Sequence, residues 1–187
     1  MKSQDIGLLL KLVSLQGQES QLKQSTNNIE SRYTARALEQ ETGISKSQVS
    51  LSINRCYHVD LLKKDRHLGV PRVNVRALEE FISYGLKYVF PAKMGELTRG
   101  VPTAFAAPIL SEKLMSAGEL PPVWPDATGK TKGLTIEPLF KSATFAIQRD
   151  HKLYALLALV DAIRVGQSRE ANLAKQLLKE QLGILQA

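Results

Sequence analysis

The sequence predicts a mainly α fold with a small β wing or hairpin, and three features predict it. Apolar residues recur at helical spacing near both ends of the chain. Gly43 separates two segments that each begin with a capping residue. Short extended pieces lie between basic or Pro/Gly-rich turns. Residues 1–90 read as one domain. Residues 91–187 read as a Pro/Gly-rich connector followed by a C-terminal helical hairpin, an accessory region for dimerisation or partner binding.

Composition bounds what such a fold can be. The chain has 187 residues, 43% of them hydrophobic, enough for a substantial core. Its formal charge is +7 and its pI about 9.5, a balance that permits nucleic acid or another anionic surface as partner. Cys56 is the single cysteine, so no intramolecular disulfide forms and a cytoplasmic setting is expected. The apolar runs Ile6–Leu15 and Leu153–Ile163 are interrupted by Lys11 and Asp161. Both fall well below the ~20 residues needed to span a bilayer, so no membrane partner is expected.

Asp5 precedes Ile6, Leu9, Leu10 and Val13, the first helix, which ends near Gly17. Residues 16–32 hold little apolar side chain besides Leu22 and Ile29, and a long mobile loop is expected there. Thr34 caps a helix whose inner edge is Ala35, Leu38 and Thr42, and Gly43 stops it. Ser45 and Gln48 have the spacing of a capping box that starts the next helix, with Ile44, Val49, Ile53 and Cys56 as its inner stripe. Leu61 and Leu62 begin an extended piece, Val73 a return strand, and Asn74 caps a helix carrying Leu78, Phe81, Ile82, Leu86 and Val89.

Beyond Phe90 the prolines and glycines concentrate. A short helix is expected over 109–117. "PVWP" and "GLTIEPL" are expected to pair as a hairpin around "DATGKTKG". A helix from Asp150 to Arg164 and one capped by Ser168 and running to Leu182 close the chain as an antiparallel pair. The leucines at 173, 177, 178 and 182 share one face. They are buried within the chain or form a two-fold interface.

Helix, three-residue turn, helix, extended pair is the order of a winged helix-turn-helix. A left-handed Gly43 makes the corner, and Ile44 and Val49 pin the two helices together. Lys46, Ser47, Ser50, Leu51 and Asn54 then face outward, towards a major groove, and the helix start offers amides to phosphate. The charge agrees with this placement. Between Ile44 and Arg76 seven basic residues (Lys46, Arg55, Lys63, Lys64, Arg66, Arg72, Arg76) stand against Asp60 and Asp65, an excess of 5.

"DIGLLLKLVSL", "YTARALEQETGISKSQVSLSINR" and "VDLLKKD" resemble a bacterial winged helix-turn-helix transcription regulator of MarR-like layout over residues 1–90. The resemblance implies sequence-specific duplex binding by a repressor or autoregulator, with Lys46, Ser47, Gln48, Ser50 and Asn54 reading bases. Arg55 lies at the edge of that face, Lys63, Lys64 and Arg66 lie on or near the wing, and Thr34 and Ser45 start the two helices. The sequence departs from the pattern at Glu39, where a small residue is usual, and at Thr42, where an apolar one is. The remaining residues resemble the tail of small bacterial helix-turn-helix proteins of unassigned role, some encoded beside nucleotidyltransferase-like proteins as toxin–antitoxin pairs are. That resemblance implies an antitoxin-like alternative, in which the second half binds a protein partner encoded nearby. Arg99 and Thr103, in "TRGVPTAFAAP", are the candidate partner contacts.

Other chemistries lack their residues. "ATGKT" ends like a phosphate loop, but its first glycine would have to be Trp124. Cys56, His58 and His67 do not have zinc spacing, and Cys56 is expected to be a core thiol. No nucleophile motif is present, and the adjacent Glu79 and Glu80 diverge by about 100° on a helix. No enzyme activity, cofactor or metal is expected. A homodimer is, because readers of this type bind two half-sites about a two-fold axis.

Overall fold

A computed structural model of the chain describes residues 1–19, 26–114 and 120–184, with the side chains of 26–28 left aside. It is mainly α with two small sheets. The helices are α1 (Ser3–Glu19), α2 (Thr26–Arg32), α3 (Ala35–Thr42), α4 (Lys46–His58), α5 (Val75–Glu80), α6 (Leu86–Val89), α7 (Pro108–Ser111), α8 (Ala143–Ile147), α9 (His151–Val165) and α10 (Ser168–Gln181). A π-helical turn, Phe81–Gly85, joins α5 to α6, so the segment after Asn74 is one helical run. The strands are β1 (Leu62–Lys64), β2 (Pro71–Val73), β3 (Leu97–Pro102), β4 (Pro122–Pro125) and β5 (Thr131–Thr135). The chain divides into two compact units. The first is Met1–Leu78 with Leu139–Leu153, and the second is Glu79–Pro138 with Tyr154 onward.

In the first unit α1 is buried from Asp5 to Leu15, and α4 packs on both α1 and α3. Leu38, Val49, Cys56, Leu62 and Leu78 complete this core from the neighbouring elements. Lys11 is buried with it. Its Nζ lies 2.8 Å from Asp150 Oδ2 and 2.9 Å from Glu41 Oε2, and Ser14 Oγ donates to Asp150 Oδ1 at 2.8 Å. Burial pushes the Asp150 carboxyl up, but the hydrogen bonds from Lys11, the Leu153 amide and Ser14, with the Lys11 charge, hold it below the usual range. The same carboxylate caps α9 through the Leu153 amide.

The expected loop over 16–32 is instead largely helical where described, because α1 continues to Glu19 and α2 begins at Thr26. Residues 20–25 lie outside the described residues. Arg72 donates to both Glu19 oxygens at 2.7 and 2.8 Å, Tyr33 hydroxyl donates to Glu19, and Arg32 donates to Gln18 at 2.5 Å. β1 and β2 form the antiparallel pair expected after α4, with Lys63 opposite Arg72.

In the second unit β3 pairs antiparallel with both β4 and β5, so β4 and β5 run parallel to each other. The expected hairpin between "PVWP" and "GLTIEPL" is therefore not formed. A strand from earlier in the chain takes the antiparallel position on each. The three strands close on themselves, which requires glycine. A Cβ on Gly100 would lie 1.9 Å from the Trp124 carbonyl oxygen. The expected helix over 109–117 is reduced to α7, with residues 115–119 outside the described residues. Ser168 is the first residue of α10, not its cap. Gln167 holds the cap position. Ala174, Leu177 and Leu178 are buried on that helix, as is Leu182 just past its end, and Leu173 is half-buried.

Candidate nucleic-acid interface

The candidate site is built on the corner between α3 and α4. Thr34 Oγ1 accepts the Ala37 amide at 3.2 Å and so starts α3. Gly43 ends it with φ +69°, and its amide reaches the Glu39 carbonyl. The two departures from the regulator pattern both act in this turn. Thr42 Oγ1 donates to the Leu38 carbonyl at 2.6 Å and accepts the Ile44 amide at 3.2 Å. Glu39 Oε1 accepts the Lys46 amide at 3.0 Å. A carboxylate thus already occupies the start of α4, where its dipole favours negative charge. The expectation that this helix start offers its first amide to phosphate is corrected accordingly.

Ser45 is the N-cap residue of α4, but its side chain makes no capping bond. The capping box with Gln48 is absent because Glu39 holds the first amide and Gln48 Oε1 accepts from Gln4 Nε2 at 3.2 Å. Gln48 belongs to a polar clamp between α4 and the start of α1. Asp5, fully buried, accepts from Arg55 Nε at 2.8 Å and Nη2 at 2.6 Å, and from Ser52 Oγ at 2.6 Å and the Lys2 amide at 2.7 Å. Burial raises the Asp5 carboxyl, but the Arg55, Ser52 and Lys2 hydrogen bonds and the Arg55 charge outweigh it and hold the group below the usual range. Arg55 is therefore spent internally and does not extend the outer face. Ser52, expected nowhere in the core, is completely buried at the centre of the clamp.

The other side of α4 is open. Lys46, Ser47, Ser50, Leu51 and Asn54 are all exposed, and no residue of this helix is acidic. Ser50 Oγ donates back to the Lys46 carbonyl at 3.1 Å, which leaves its lone pairs outward. Ile44, Val49 and Cys56 are buried as the inner stripe requires, and Ile53 is half-buried. Cys56 is a core group, and burial pushes its thiol up to about 12.

Lys63, Lys64 and Arg66 are exposed on β1 and the loop that follows. Asp65 shapes that loop: its Oδ1 accepts the His67 and Leu68 amides, both at 2.8 Å, and its Oδ2 accepts Arg72 Nε at 3.1 Å. These bonds, the Leu68 amide first, bring its carboxyl down to about 2. Of the seven cations between Ile44 and Arg76, Arg55 and Arg72 are held by carboxylates, while Lys46, Lys63, Lys64, Arg66 and Arg76 are exposed.

In the second unit Arg99 is exposed on β3, opposite Lys132. Thr103 is not a surface residue. It is fully buried, and its hydroxyl donates to Asp161 Oδ2 at 3.0 Å, so it is withdrawn as a partner contact. Trp124 Nε1 donates to the same oxygen at 2.6 Å, and Arg164 Nη1 to Oδ1 at 2.7 Å. Among the described residues, no group of three His, Cys, Asp or Glu side chains is placed to hold a metal ion, and no helix is long and apolar enough to cross a membrane. No protein-family model matches the chain, and neither a curated protein nor a solved structure matches it.

Proposed function

We propose that this protein is a sequence-specific, duplex-DNA-binding transcription regulator of the winged helix-turn-helix type. In this reading it represses its own operon in the cytoplasm as a homodimer. The observation that carries the reading is the division of α4. Its inner polar side chains are committed to Asp5 and Gln4, whereas Lys46, Ser47, Ser50 and Asn54 stand together in solvent on the helix that follows a glycine corner. Asn suits paired hydrogen bonding to adenine in the major groove, and Ser to several base edges. Lys63, Lys64 and Arg66, on the hairpin that begins just after α4, supply phosphate contacts as a wing.

Selection of duplexes from a random library, followed by salt titration, tests this. Asn54→Ala is expected to relax preference at one base pair by about 1–3 kcal/mol. Lys63→Ala or Lys64→Ala is expected to weaken binding to all duplexes and to reduce the salt slope by about one. Failure of the chain to enrich any sequence, with both kinds of variant behaving as wild type, ends the proposal.

One observation favours a second role for the other unit. Tyr84, Tyr88 and Val89 are 65%, 74% and 54% exposed on one helical run. Such a surface suits a protein partner in the antitoxin-like reading. Co-expression with the product of the adjoining gene, using Tyr84→Ser/Tyr88→Ser as the control, separates the two roles.

A further inference from the structure

We infer that Leu51 is a specificity-determining residue that reads the methyl group of a thymine, so that the recognised site contains a T·A pair under the middle of α4. The inference rests on the DNA-binding reading above and names the base that reading leaves open. Leu51 is the one large apolar side chain on the outer side of α4, and it is 49% exposed. A lone exposed leucine is ordinary on a protein surface, but the setting of this one is not. Ser47 lies one turn before it, Ser50 beside it and Asn54 one turn after it, all exposed, with Lys46 at the helix start. A protein interface calls for a contiguous apolar patch, and here every outward neighbour on the helix is polar or cationic. In a major groove the requirement is different. Thymine alone among the four bases presents a methyl group there, flanked by the donors and acceptors that Ser and Asn pair with. One buried methyl against Leu51, with polar contacts on both sides, matches the order of side chains along the helix.

The test uses the full chain and the duplex enriched from the random library, with each thymine replaced singly by uracil, which removes only the methyl. At one or two positions the replacement is expected to weaken wild-type binding about fourfold. Leu51→Ala is expected to bind the thymine and uracil duplexes alike, and Leu51→Met to keep the discrimination. The inference is overturned if no thymine position responds, or if Leu51→Ala discriminates as wild type does. Failure to enrich any duplex would remove the DNA-binding reading itself at the selection step, before uracil is introduced, and the inference with it.

Discussion

Helix α4, which follows the Gly43 corner, and the segment from Thr98 to Pro108, which contains Gly100, each offer polar side chains as candidate contacts, yet the fold uses them in opposite ways. In α4 the polar residues split: Gln48, Ser52 and Arg55 turn inward to Gln4 and Asp5, and Lys46, Ser47, Ser50 and Asn54 remain in solvent. In the other segment Thr103 is consumed by Asp161 and Gly100 by strand closure, which leaves Arg99 as its exposed cation. Residue type alone does not separate a solvent-facing polar side chain from a structural one. What separates them is whether a distant polar group, Asp5, Gln4 or Asp161, arrives to claim the side chain.

The largest effect that sharpens this comparison lies in the second unit. Asp161→Ala leaves Arg164, Trp124 and Thr103 without their shared acceptor, and is expected to cost about 3–5 kcal/mol. Thr103→Val removes one of those bonds and is expected to cost about 1–2 kcal/mol with no effect on any partner. Urea unfolding followed by the emission of Trp124, the single tryptophan, measures both. Unchanged midpoints would return Thr103 to the surface.

Next comes the clamp. Arg55→Ala strands the buried Asp5 carboxylate, and is expected to cost about 2 kcal/mol. That is below the ~3–5 of a fully buried pair because the Arg55 side chain is 27% exposed. Base preference should stay as in wild type once the protein is folded. An Arg55→Ala variant of full stability with altered base preference would show instead that this guanidinium leaves Asp5 to read DNA.

A smaller effect is set by pH at the hairpin. The Asp65 carboxyl is depressed in the folded chain from an ordinary value near 3.8 to about 2. Its contribution is thus complete above about pH 4 and is lost as pH falls towards 2. Loss of amide protection at His67 and Leu68, each rate taken relative to the intrinsic exchange rate at the same pH, is the expected outcome over that window in wild type and already at neutral pH in Asp65→Asn. Protection that is unchanged through the window would show that Asp65 does not hold the turn. Lys46→Ala and Ser50→Ala, which touch only the open side of α4, should shift stability by no more than about 0.5 kcal/mol.

Much of the first unit is legible in the chain. Helical spacing marks α1, α3 and α4, Gly43 marks the corner, and Asn74 marks the return from β2. Local pattern suffices there because each signal and its partner lie within a few residues. The clamp is illegible for the opposite reason: Asp5 meets Ser52 and Arg55 at separations of 47 and 50 residues. A buried serine beside an arginine looks like surface until that acid is placed. The second sheet fails for a related reason. "LTRGVP" carries a glycine and a proline, which read as loop, and the glycine is what lets β3 approach β4. Without β3, the neighbouring β4 and β5 look like a hairpin. The helical residues 26–32 are hard to read because a described tie of that stretch, Arg32 to Gln18, joins residues 14 apart in the chain.

The division of α4 is tested most directly by the side-chain amide resonances of Asn54 and Gln48 while an enriched duplex is titrated into the labelled full-length protein. The Asn54 amide is expected to shift and saturate with the duplex, as should the backbone amides of Ser47, Ser50 and Leu51, while the Gln48 amide and the Arg55 Nε–H stay in place. Movement of Gln48 and Arg55 with Asn54 unmoved, or no response anywhere on α4, would contradict it.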